Sequence, residues 1–248
     1  YNRAITLDEV EKIYIGDLEQ TVVLGGQDPE ITIFWGDENP VGDSTDNRPV
    51  PSYNVLLDGS NDYIDTGSTF ESTFQSDFSI SVWFKQDDPS GSRALFGERN
   101  LTSSLKNFVR SYISSNFITF DHAVNGSRSI NKYAYSSDNN WHNSVVTVTQ
   151  NGSEVVSKQY LDGILRHLVT QTMTLSSYDS NNADFAIGAM GYDIENADTF
   201  FSGKIDDLSI FSSVLSDGGI SVGQTAQGDI AEIYNNGSPG SLPKNPVA

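Results

Sequence analysis

Two adjacent aspartates, Asp206 and Asp207, stand inside the apolar run "GKIDDLSIF" (203–211). Paired carboxylates can do acid–base chemistry, hold a divalent cation, or accept hydrogen bonds at a strand end. In an extended strand, neighbouring side chains point to opposite faces, so these two carboxylates diverge. They cannot flank one scissile bond, as a glycosidase pair must across a gap of roughly 5–10 Å. Strict alternation puts Asp206 on the face of Leu208 and Ile210, and Asp207 on the face of Ser209. Asp206 is therefore predicted to head for the core, where an ionised carboxylate needs partners. Backbone N–H groups of the "LLDGSND" turn (56–62) would satisfy it. So would a Ca²⁺ held with backbone carbonyls at the sheet edge, with Asp58 and Asp62 as further ligands. Asp207 is read as solvated.

Other residue types offer less chemistry. The three histidines, His122, His142 and His167, are scattered, and no G-x-S-x-G elbow accompanies them. P-loop, dinucleotide and EF-hand patterns are absent. A cysteine count of zero removes thiol catalysis, cysteine zinc sites and disulfides. Sugar stacking needs an exposed ring on a rim loop. The candidates are Tyr133 and Tyr135 in "NKYAYSSDNN", and Tyr178 and Tyr192 in later loops. Trp83 and Trp141 read as packing residues. Glycosylation sequons begin at Asn100, Asn125, Asn151 and Asn236, the last three as Asn-Gly turns.

The elements that must position these residues are strands. Helical periodicity is nearly absent and two-residue alternation recurs. "FSISVWFK" (78–85) places Phe78, Ile80, Val82 and Phe84 on one face; "FITF", "SVVTVT" and "DFAIGAM" read alike. Asn151-Gly152 and Asp162-Gly163 supply the positive φ that two-residue hairpins need, which predicts three successive antiparallel strands. Short strands with turns and no βαβ spacing predict an all-β antiparallel sandwich or jelly roll. One short helix is predicted in "GDIAEIYNNG", with Asp229 as N-cap, Glu232 three residues on, Ile230, Ile233 and Tyr234 on the apolar face and Gly237 closing it.

Residues 1–50 differ. "KIYIGD" (12–17), "TVVLGG" (21–26) and "TIFWGD" (32–37) are three short β-rich units, too small to bury a core alone. They are expected to lean on the main domain or on another subunit. "NPVGDSTDNRPVPS" (39–52) reads as a linker and the chain's end as a tail. The chain opens on Tyr1 and is read as a trimmed piece of something longer. Its net charge is −19, from 33 acidic against 14 basic residues. Such a surface repels phosphate backbones and anionic headgroups, so nucleic acid is a poor partner. No apolar run of eighteen residues argues for membrane insertion. The lack of cysteine leans towards a bacterial or viral source.

"LLDGSNDYIDTG" (56–67), "FSISVWFK" (78–85), "WHNSVVTV" (141–148), "YLDG" (160–163), "FAIGA" (185–189), "FSGKIDDLSIFSSVLS" (201–216) and "IAEIYNNGSPGSL" (230–242) occur in that order. Together they resemble the laminin-G-like, concanavalin A-like jelly roll over about residues 53–242, with 243–248 left as a tail. The resemblance implies two antiparallel sheets of roughly six or seven strands each, ligands at a rim, and a structural calcium at the aspartate matching Asp206. The E-x-D-x-x-E spacing of the glucanases sharing this fold is missing. The N-terminal units are similar to short "YIG" repeats of bacteriophage structural proteins. The expectation is a non-catalytic binding or structural domain of a virion or extracellular protein. Its partners would be a host-surface glycan or protein and other virion subunits in a homo-oligomer. An accessory carbohydrate-binding module of a secreted hydrolase or lyase, and an architectural protein with no ligand, are the alternatives.

Overall fold

A computed structural model describes residues 20–22, 31–33, 54–98, 106–114, 116–180, 182–190 and 199–234. Two antiparallel sheets face each other. The larger runs β1 (Gln20–Val22), β2 (Ile31–Ile33), β3 (Val55–Asp58), β14 (Ser202–Phe211), β5 (Phe78–Gln86), β10 (His142–Asn151), β11 (Glu154–Leu161) and β12 (Ile164–Thr172). The smaller runs β4 (Ile64–Asp65), β13 (Ala186–Ile187), β6 (Ser92–Gly97), β7 (Phe108–Ser114), β8 (Phe117–Val124) and β9 (Ser127–Ala134). Eight and six strands replace the even split expected. The added edge comes from β1 and β2, which belong to the second and third N-terminal units and join through Ile33 opposite Val55. The unit at 12–17, the linker and the tail lie outside the described residues.

The alternation in β5 is realised as read. Phe78, Ile80, Val82 and Phe84 enter the main core with Phe120, Val146, Phe185 and Phe201. Its other face is buried too, since Ser79, Ser81 and Trp83 are almost fully enclosed. The cover is the C-terminal segment with its helix α2 (Gly228–Tyr234), the counterpart of the short α1 (Glu71–Phe74). Leu215, Ala226, Ile230 and Ile233 pack there on Val145, Tyr160 and Leu165, and Tyr234 stacks on Trp83 at 6.1 Å. Asp217 pins the segment by accepting from Lys158 Nζ (2.7 Å), Tyr160 Oη (2.6 Å) and Gly219 N (2.8 Å).

Two local readings shift. The first hairpin turns at Gly152-Ser153, because Asn151 still pairs with Glu154. A glycine with φ +62 at the first central position fits a type II′ turn. The second turns at Asp162-Gly163, both with positive φ, as predicted. At α2 the capping comes from afar. Ser216 Oγ accepts from Asp229 N (3.1 Å) and Asp229 Oδ2 accepts from Ser216 N (2.9 Å). Local spacing cannot show a partner thirteen residues away.

Candidate functional site

β14 carries a bulge at the aspartate pair. Asp206 lies opposite Trp83 of β5, but the next pair is Ser209 with Ser81, so Asp207 and Leu208 together oppose Val82. Asp207 adopts φ +45, and such an extra residue reverses the alternation beyond it. Ile205 before the bulge and Leu208 and Ile210 after it all reach the main core. Asp206 instead shares the other face with Trp83. The expectation that it heads for the core is corrected: strict alternation fails by one residue. Its Oδ1 accepts from Asp207 N at 2.8 Å.

The "LLDGSND" turn satisfies itself. Asp58 Oδ1 accepts from Ser60 N (2.7 Å) and Asn61 N (3.4 Å), and Asp62 Oδ2 accepts from Asp58 N (3.0 Å). Burial, reinforced by the neighbouring Asp58 charge, pushes the Asp62 carboxyl above the usual range although the Asp58 N–H pulls it down. Asp58 pairs with Ser202, four residues along β14 from Asp206, a span of roughly 13 Å. The three carboxylates therefore do not converge. Among the described residues no three acids or histidines are grouped as a metal ion requires, and Asp206, Asp58 and Asp62 do not fit a common calcium cage.

The tyrosine candidates divide. Tyr135 is buried, edge-on to Phe84 and His142 at 5.7 and 5.4 Å, and burial pushes its phenol well above the ordinary range. Tyr178 is buried edge-on to Phe74. Both lie in connecting segments as expected, but their rings are buried in the core and are not rim platforms. Tyr192 lies outside the described residues. Tyr133 remains: it is half-buried on β9, with the Arg166 guanidinium 5.0 Å from its ring.

His142 is engaged at both nitrogens, Nδ1 to Asp162 Oδ2 at 2.7 Å and Nε2 to Asp138 Oδ1 at 2.9 Å. No nitrogen is left to take a proton from a nucleophile. Burial opposes the imidazolium, yet the two carboxylates outweigh it and raise the pKa.

Sequence reasoning missed the charged ridge along β9. Arg110 on β7 lies directly across from Asp121 on β8, and Asp121 directly across from Ile130 on β9. Asp121 is wholly buried. It accepts from Arg110 Nε and Nη2 (3.0 and 2.6 Å) and from Arg128 Nε and Nη2 (2.7 and 2.6 Å). Both guanidinium carbons lie over the Phe108 ring, at 4.3 and 5.7 Å. Gly97 makes room for Arg110, since a Cβ there would stand 2.6 Å from the Arg110 Cβ. Outward from this pair, Arg128, Ile130 and Lys132 are exposed, and the Lys132 ammonium sits 4.1 Å from the Phe117 ring centre. β9 itself is held from inside. Ser129 Oγ meets Ser157 Oγ at 2.7 Å, Asn131 Nδ2 donates to Ser157 Oγ at 2.6 Å, and His167 Nδ1 meets Asn131 Oδ1 at 3.1 Å. The signal was available: the Asn125-Gly126 turn fixes the β8–β9 register and brings Asp121 within diagonal reach of Arg128.

Residues 58–221 match the family described as Laminin_G_3, concanavalin A-like lectin/glucanases superfamily. No curated protein matches in sequence. Among solved structures, the CBM40 of the Ruminococcus gnavus IT-sialidase aligns with a TM-score of 0.54 at 12% identity, covering 66% of this chain and 92% of that one. The same CBM40 bound to α2,3-sialyllactose gives 0.51 at 12% identity, covering 66% and 93%. The binding domain of botulinum neurotoxin DC, in complex with rat synaptotagmin II, gives 0.53 at 16%, covering 76% of this chain and 44% of that one. At such identities the likeness establishes the fold alone. Among the described residues no helix is long and apolar enough to cross a membrane.

Proposed function

The chain belongs to the concanavalin A-like lectin/glucanases superfamily, and from that premise we propose that it is a non-catalytic binding domain for surface glycans. The observation that carries this reading is the β9 ridge. There, the exposed cations Arg128 and Lys132 flank the exposed Ile130, with the half-buried Phe117 ring against Lys132, on a strand locked from within. Such a surface offers apolar faces for sugar rings and donors for their hydroxyls, and needs no movement to do so. The occupied nitrogens of His142 and the divergence of Asp206 and Asp207 argue against hydrolysis. A sialyllactose-bound relative of the same fold supports a glycan, and a synaptotagmin-bound one keeps a protein receptor as the second partner class.

The setting we infer is outside the cell, on a virion or as a module of a secreted protein. The "YIG"-like units favour the virion, where the domain would decorate the particle as a homo-oligomer. A glycan microarray with the whole chain, read beside light scattering, tests both levels. Saccharide binding by a trimer or ring is the expected result. Binding by a monomer would replace the virion setting with the accessory-module one. A panel without any bound saccharide would overturn the glycan reading.

A further inference from the structure

Three of the nine basic residues among the described positions, Arg110, Arg128 and Lys132, share the outer face of β7 to β9, Arg110 lying across Asp121 from Ile130. In a chain with net charge −19 this is the opposite of chance. Among the described residues Asp121 is the one carboxylate that meets Arg128, and it is shared between two guanidiniums. The cluster thus keeps a surplus of positive charge in a chain whose net charge is −19. We propose that this ridge binds the carboxylate of an acidic saccharide. The proposal rests on the glycan reading above and names the ligand class of that same site.

Three features argue for a built site over ordinary surface pairing. Exposed ion pairs contribute little and their side chains wander. Here the shared carboxylate is fully buried, and Arg110 is nearly so. Both arginines use Nε and Nη2 on Asp121, which fixes each guanidinium plane and, among the described residues, leaves its Nη1 without a hydrogen-bond acceptor. Guanidinium forks match carboxylates in shape as well as charge, and Asp121 demonstrates that fit. Second, the exposure is graded. Arg128 has 41% of its side chain in solvent against 9% for Arg110, so the pair presents one reachable cation braced by a buried one. Third, apolar surface lies beside the charge. Ile130 is 40% exposed between Arg128 and Lys132, and the Phe117 ring on the same face already accepts the Lys132 cation. A sugar acid needs this pairing of a ring face with a carboxylate donor. An acidic chain would also repel such a ligand everywhere else, so the ridge orients it.

The test titrates 3′-sialyllactose, lactose and 3′-sulfolactose into the whole chain by calorimetry at two salt concentrations. The expected result is binding of the carboxylated sugar, weakened by salt, and a loss of at least about tenfold for lactose. Arg128→Gln and Lys132→Gln should each reduce affinity for the sugar acid by about tenfold or more, Lys132→Gln with a melting temperature close to the parent's and Arg128→Gln, which takes two hydrogen bonds from the buried Asp121, with a lower one. Arg128→Lys keeps the charge without the fork and should recover only part of it. Equal binding of lactose and sialyllactose, unchanged in both glutamine variants, would overturn the acidic-ligand proposal and leave the glycan reading standing. Equal binding of the sulfated sugar would overturn the carboxylate specificity. Acid binding indifferent to both variants would overturn the site. Silence from all three sugars would overturn the proposal, and the wider array then decides the glycan reading separately.

Discussion

Replacing Asp121 by asparagine tests whether the β9 ridge is rigid. The side chain keeps its shape but loses its charge, and half of it becomes a donor facing two guanidiniums. Four charge-assisted hydrogen bonds of 2.6–3.0 Å depend on it. Counted singly at about 1.5–3 kcal/mol each, they would exceed the stability of many domains. Desolvation of a carboxylate with no solvent exposure offsets most of that sum. What remains is the cost of leaving the nearly buried Arg110 without its carboxylate, about 3–5 kcal/mol. For a domain of this size that lowers the melting temperature by roughly 6–20 °C. Urea melts of the parent, Asp121→Asn, Arg128→Gln and the double variant would form a cycle. Its coupling energy should exceed about 1 kcal/mol, since the residues are in contact. A loss under about 1 kcal/mol with no coupling would refute the argument, because the arginines would then be mobile surface groups and not a braced pair.

Glu98 is 1% exposed and neither carboxyl oxygen meets a hydrogen-bond partner among the described residues; burial, with Glu71 and Asp184 adding to it, drives its pKa well above 4.5. A raised carboxyl pKa means stability present below about 4.5 that is lost as pH rises through the folded value, so Glu98→Gln should stabilise at neutral pH and flatten that decline in a melt series. His142 gives a second loss at higher pH: its raised pKa supplies stability below about 6.5 that fades as pH climbs through the folded value, and His142→Gln should remove that step from the same series. Asp58→Ala, which takes from the turn the one carboxylate oxygen that two N–H groups donate to, should cost about 1–2 kcal/mol, while a chelator leaves the parent's melt unchanged; a chelator-induced drop abolished by Asp58→Ala would show a calcium ligand in place of a turn cap.

The sequence by itself determined the architecture. Alternating apolar residues such as Phe78, Ile80, Val82 and Phe84 can bury a face only as strands, and Asp162-Gly163 admits a two-residue turn whatever surrounds it. Seven ordered motifs then resembled one family, which the match over 58–221 bears out. The tertiary structure decided what each polar side chain does. Asp206 lies on the Trp83 face, away from the main core, because one extra residue entered β14, and no pattern within "GKIDDLSIF" announces that. Tyr135 and Tyr178 read as loop aromatics, yet sheet closure placed both rings in the core. Arg110, Asp121 and Arg128 were missed as a group: the Asn125-Gly126 turn hints at the Asp121–Arg128 pair, but eleven residues separate Arg110 from Asp121 with no such turn signal between them. They meet only when two hairpins fix the register, and only burial of Asp121 turns the meeting into a rigid site. Periodicity is a property of neighbours in sequence, whereas a binding surface is a property of neighbours in space.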